Sequence, residues 1–141
     1  MRWSTGRLLV LICWFWATAA TAVEPTGDPV RGEEVYQRCL ACHALRYNRT
    51  GPSHCGLLGR RAGSVPGYAY SVAMRRADIV WTVRALDAFL TAPTDYVPGT
   101  TMGYSGLDDA ADRRDLIAFL AMAAMDANYC PDSAQTRETG R

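Results

Sequence analysis

Lysine is missing altogether: all fifteen basic residues of the 141 are arginines, and fourteen acids nearly cancel them to a formal charge of +1. A chain so closely balanced has no broadly basic surface, which excludes nucleic-acid binding by bulk electrostatics. Five cysteines are too few for a disulfide-dense miniprotein. There is no alternating strand pattern and no internal repeat, and beyond the first 22 residues no apolar run is long enough to span a bilayer. What is present is the composition of one ordinary globular domain, 49% hydrophobic and 21% charged, too apolar to be disordered.

Residues 1–22, MRWSTGRLLVLICWFWATAATA, join a basic start at Arg2 and Arg7 to a short apolar run from Leu8 to Ala20 and a small-x-small end at Ala20-Thr21-Ala22. That is the pattern of a secretory signal peptide, which places the mature start near Val23 and the working protein in the periplasm. An uncleaved anchor is the alternative. Cleavage leaves a domain over 23–130 with no membrane insertion, and a polar, flexible tail over 131–141. Cys39, Cys42, Cys55 and Cys130 then lie in a compartment that permits disulfides. Between Arg31 and Arg84 nine arginines face three acids, and between Ala85 and Arg141 four face nine. This division gives the molecule a dipole unless the two halves interleave in space.

The elements read as helices. Asp28-Pro29 is a capped start, and Val35, Tyr36, Cys39 and Leu40 recur at helical spacing, with a stop expected near Cys42. Glycines and prolines crowd residues 44–68, which argues for loops. A short helix is expected at Ser71–Arg76, and another carries Val83, Leu86, Phe89 and Leu90 and ends at Pro93. Tyr96-Val97-Pro98-Gly99 reads as a turn. Asp108 and Asp109 open a final helix with Ile117, Leu120, Ala121 and Ala124 on one face. An all-α chain with so long a glycine-rich loop needs something to wrap around, and a large prosthetic group would supply it.

The chemistry lies at Cys39-Leu40-Ala41-Cys42-His43. C-x-x-C-H is the attachment pattern of c-type haem: two thiols three apart bond the two vinyl groups, and the next residue brings an imidazole to the iron. A thiol–disulfide motif has no use for that histidine, and a zinc site would have only His54, Cys55 and Cys130 to draw on. The sixth iron position decides the function, because an open site binds small ligands and a closed one passes electrons. His54, Met74, Met102, Met122 and Met125 are the candidates. Met122 and Met125 sit in the last helix, where methionine usually fills core. His54 lies in the loop leaving His43, and is expected to stay on that side. Met102, at the end of a turn-rich strap, is favoured.

With these residues in view, the chain resembles class I cytochrome c, the mitochondrial type and its bacterial relatives, from about Gly27 to Asp126. Gly27-Asp28, Gly32 and Tyr36 resemble the first helix, where the glycine lets the last helix pack close. Cys39, Cys42 and His43 match the attachment site, and Gly51-Pro52 resembles the loop whose proline carbonyl receives the imidazole N–H. Gly56-Leu57-Leu58-Gly59-Arg60 and Pro66-Gly67-Tyr68-Ala69-Tyr70-Ser71 follow in order. Trp81 is placed like the indole that bonds a haem propionate, with Tyr70 and Arg60 as companions. Tyr96-Val97-Pro98-Gly99-Thr100-x-Met102 is similar to the strap that presents a distal methionine, and Asp115–Leu120 to the last helix.

The resemblance implies a small all-α cytochrome c fold wrapped around one covalent haem c. It implies iron ligated by His43 and Met102, with Cys39, Cys42, Pro52, Arg60, Tyr70, Trp81 and Thr100 about the cofactor. It implies a monomeric, soluble electron shuttle rather than an enzyme. Its redox protein partners would be a membrane oxidase, a reductase complex or a periplasmic dehydrogenase. The alternatives are a haem peroxidase or small-ligand sensor with labile Met102, and a dedicated electron-accepting subunit of one dehydrogenase.

Departures from the family carry information. Phe89 stands where a tyrosine is usual near the methionine sulfur and Met74 where a polar residue is common, so the pocket is expected to be drier. Without lysines, docking falls to arginines such as Arg60, Arg61, Arg75 and Arg76, and alkaline loss of Met102 leaves hydroxide or His54 as replacement ligand. Cys55 and Cys130 should be close in this fold, and a disulfide pinning the C-terminus is expected.

Overall fold

A computed structural model describes residues 24–131. The expected signal peptide at 1–22, and the expected tail beyond Pro131, lie outside the described residues. Among the described residues five α-helices follow in order: α1 (Pro29–Tyr36), α2 (Val72–Arg76), α3 (Val83–Thr91), α4 (Pro93–Tyr96) and α5 (Ala110–Ala123). Among the described residues there is no strand, only an isolated bridge between Arg61 and Val80.

Local chemistry sets most of the helix starts. The Asp28 carboxylate accepts from the amides of Val30 and Arg31, with Pro29 in the first turn. Ser71 caps α2 through the Met74 amide, Thr82 caps α3 through Ala85, and Asp109 caps α5 through Ala111 and Asp112. Two details depart from the sequence reading. The first α-helix ends at Tyr36, not near Cys42, and tightens into a 3₁₀ turn over Gln37–Cys39. A one-turn helix, α4, begins directly at Pro93, whose fixed φ suits a first helical turn as well as it ends α3.

The fold rests on α1 crossing α5. A Cβ on Gly32 would lie 1.9 Å from the Asp115 carbonyl oxygen and 2.8 Å from Phe119 Cβ, so the two backbones meet where only glycine fits. Polar bonds lock the crossing. The Asp28 amide donates to Asp115 Oδ1 at 2.9 Å. Arg31 reaches Asp112 at 3.0 Å and Asp115 at 3.1 Å, and Arg38 reaches Asp112 at 2.9 Å. With α1 and α3 both packed on it, α5 is buried on more than the single apolar face expected: Leu116, Ile117 and Phe119 are each 1% exposed, and Asp112, Arg113 and Asp115 are buried too. The ion pairs across the crossing join the basic and acidic halves of the chain, so the two interleave here.

The residues between Leu40 and Ser71 carry no helix and pack on this core through Leu57, with Leu45, Leu58, Ala62 and Tyr70 against it. One of them, Cys55, forms a disulfide with Cys130, across 75 residues of sequence and with Cα atoms 5.6 Å apart. The expected pairing is present, and it ties the loop to the segment just beyond α5.

Candidate functional site

The 3₁₀ turn after α1 delivers the C-x-x-C-H residues to one end of the core. The amides of Cys42 and His43 both donate to the Cys39 carbonyl, at 3.1 and 2.9 Å, so the histidine directly follows a closed turn. Cys39 is half-buried, Cys42 is exposed, and both thiols are free. Burial, opposed by Arg38 and reinforced by Cys42, pushes the Cys39 thiol up to about 11. A dithiol exchange motif works by lowering a thiol's pKa, so this environment speaks against that use. Among the described residues no three His, Cys, Asp or Glu side chains gather as a metal cluster, and the disulfide has consumed Cys55 and Cys130. The zinc reading therefore lacks ligands.

His43 is 8% exposed. Its Nδ1 lies 2.8 Å from the Pro52 carbonyl oxygen. A carbonyl only accepts, so Nδ1 carries the proton and Nε2 keeps its lone pair, the arrangement required of a metal-binding imidazole. Burial lowers the His43 pKa against a smaller opposing effect of that hydrogen bond, which keeps the ring neutral. Gly51 is needed here: a Cβ would fall 2.3 Å from His43 Cε1. The Gly51 amide donates to the Cys42 carbonyl at 2.7 Å, so ligand segment and loop are joined by backbone as well.

These groups open onto a cavity of about 450 Å³. Cys39, Cys42, Pro52, Arg60, Tyr70, Trp81, Thr100, His43 and Met102, every site residue expected from sequence, line it. Leu57, Leu86, Leu90 and Leu116 supply apolar wall. Trp81 is 6% exposed and packs on Phe89 with ring centroids 5.0 Å apart. Phe89 and Met74 line the cavity as well. Met102 is half-buried on the strap after α4, its amide donating to Thr100 Oγ1 at 3.3 Å. Among the other candidates for the sixth position, Met125 is 60% exposed and, like Met122, does not reach the cavity.

Two expectations need correcting. Arg60 is no exposed docking arginine: it is half-buried, and its guanidinium donates to the carbonyls of Ser53 at 2.8 Å and Cys55 at 2.9 Å. Of the proposed patch Arg61, Arg75 and Arg76 remain exposed, with Arg61 paired to Asp78. His54 is no free replacement ligand either. Its ring stacks on His43, centroids 4.2 Å apart and planes at 22°, and its Nδ1 is 3.2 Å from the Tyr36 hydroxyl. Burial, then the neighbouring His43 and Arg60, hold His54 well below the usual histidine pKa. Sequence reading kept His54 on the His43 side but missed the stack. The signal available was a second histidine eleven residues after the first, inside the loop that carries Pro52.

Cytochrome c2 of Rhodomicrobium vannielii is 41% identical over 109 residues, 75% of this chain and 85% of that protein. The chain belongs to the cytochrome c family. Cytochrome c of Euglena viridis is 44% identical over 97 residues, covering 67% of this chain and 95% of the relative. Among solved structures, cytochrome cH from Methylobacterium extorquens superposes with a TM-score of 0.67 at 36% identity, over 68% of this chain and 99% of that one. No family model matches. As a cytochrome c the protein is an electron carrier, not an enzyme, with covalently bound haem c and its iron as cofactor. The residues fit that group: two free thiols beside a proton-committed imidazole, at an apolar-walled cavity edged by an indole and a guanidinium.

Proposed function

We propose that this cytochrome is an exported mono-haem shuttle whose iron is held by His43 and Met102. In this reading residues 1–22 are removed on export, 23–130 form the haem domain in the periplasm, and 131–141 are a tail. The haem, when bound, supplies a one-electron ferric/ferrous couple. The remaining work belongs to the chain. Cys39 and Cys42 anchor the group by thioether bonds. The Pro52 carbonyl holds the His43 Nδ1 proton and so directs Nε2 at the cavity. Thr100 braces the strap that carries Met102. Trp81, Tyr70 and Arg60 would hold the propionates, and Phe89 would add apolar wall to the pocket. Electrons pass to and from redox proteins at the edge where Cys42 is exposed, with Arg61, Arg75 and Arg76 as the cationic groups that guide docking.

The observation that carries this reading is the tautomer of His43, fixed by Pro52 and facing a cavity that Met102 also lines. A closed six-coordinate site separates it from a peroxidase or ligand sensor. Ferric wild-type protein should bind added cyanide slowly and Met102→Ala rapidly. Equal, fast binding by both would leave Met102 without a role at iron and reopen the alternatives. Intact mass of the periplasmic protein should place its N-terminus at Val23.

A further inference from the structure

We propose that His54 is a positioning residue for the proximal ligand: its stacked ring fixes the plane of the His43 imidazole. The inference rests on His43 being an iron ligand.

The Pro52 hydrogen bond holds Nδ1 of His43 and Gly51 lies close against the ring, but neither presents a plane that stops the ring turning about that bond. A flat neighbour across the face removes that freedom. His54 is such a neighbour, at 4.2 Å between centroids and 22° between planes. It is itself held at several points. Its amide donates to the carbonyls of Ala44 and Leu45 at 3.1 and 3.0 Å. Its Nδ1 is paired with the Tyr36 hydroxyl, and the Tyr36 ring meets it edge-on at 5.7 Å. Tyr36 is 3% exposed and packs on Phe119 of α5, so the chain of contacts ends in the helix crossing. The next residue, Cys55, is fixed by its disulfide and by its amide's bond to the Leu45 carbonyl at 2.8 Å. A leucine at 54 could fill the volume but would present no plane. Ring orientation matters at iron because the ligand's π orbitals split the metal d levels according to the angle of the ring, which bears on both the spectrum and the potential.

The test uses haem-loaded protein and two readouts besides electron-transfer activity: the g-values of the ferric EPR spectrum with the spread of haem methyl NMR shifts, and the reduction potential. Wild type must first show a low-spin, imidazole-ligated spectrum that His43→Ala loses; if it does not, the ligand assignment fails, not the stacking inference. Given that, His54→Leu should shift the g-values, reorder the methyl shifts and move the potential, whereas His54→Phe, which keeps a flat face, should stay close to wild type. An unmoved His54→Leu, or a His54→Phe displaced as far as the leucine variant, overturns the proposal. Should His54→Leu fail to take up haem, His54→Met decides: its flexible side chain fills the volume without presenting a plane, so a shifted methyl pattern supports the inference and an unchanged one overturns it.

Discussion

A metal-binding imidazole needs a lone pair on one nitrogen and a proton on the other, and one carbonyl can enforce both. Pro52 does this for His43, and Gly51 makes the approach possible because any side chain there would strike the ring. At the same scale the absent lysines have a consequence. In the proposed ligation no lysine is available to take the place of Met102 at high pH. His54, stacked and hydrogen-bonded on the His43 side, is not free to replace Met102. Raising the pH should therefore give a hydroxide-ligated form, read by EPR and visible spectroscopy of the mature protein. A nitrogen-ligated alkaline species, other than one from the N-terminal amine, would contradict this.

Among the elements, the α1–α5 crossing carries the architecture and gives two predictions. Gly32→Ala forces a Cβ into the Asp115 backbone, a contact no rotamer relieves, and should cost about 3 kcal/mol or more by denaturant unfolding. Asp112 is held below its ordinary pKa first by the Arg31 hydrogen bond, against burial, and then by Arg38. A carboxylate depressed in the folded state contributes its stability above the unfolded-state pKa, ~3.9, and loses it as pH falls through the folded value. Asp112→Asn should thus be less stable near neutrality, and its stability should fall less steeply below pH 4 than that of wild type. Parallel urea midpoints at several pH values would show this; identical slopes would refute it. The capped start at Asp28 was legible in the sequence because a cap is a local bond, and the starts of α2 and α5 were placed within a residue although their caps at Ser71 and Asp109 were not named. The 3₁₀ turn at Gln37–Cys39 and the single turn of α4 were not, since tertiary packing rather than spacing sets them. Nor was the His43–His54 stack, which depends on how an irregular loop folds back.

For the whole molecule, the Cys55–Cys130 bridge closes a loop across 75 residues of sequence. Removing both thiols by Cys55→Ser with Cys130→Ser should lower stability by roughly 2–4 kcal/mol, mostly through the unfolded chain. Equal unfolding midpoints for the variant and the oxidised wild type would show that the haem already supplies that restraint. Charge was legible only in part. The sequence separates a basic stretch from an acidic one, but three of the five ion pairs among the described residues run between the two, so the dipole suggested along the chain is partly cancelled in space. The residues expected about the haem were legible as a set that lines one cavity, because C-x-x-C-H is local and the strap motif carries Met102 to the same space. Arg60 was misplaced because its carbonyl partners at Ser53 and Cys55 are set by the loop's path.

The central claim is nitrogen on one side of the iron and the sulfur of Met102 on the other. Near-infrared absorption of purified ferric protein at neutral pH tests it directly. The methionine-to-iron charge-transfer band should be present in wild type, persist in Met74→Leu, and vanish in Met102→Ala while the haem stays bound. A band missing from wild type, or surviving the loss of Met102, would contradict the account.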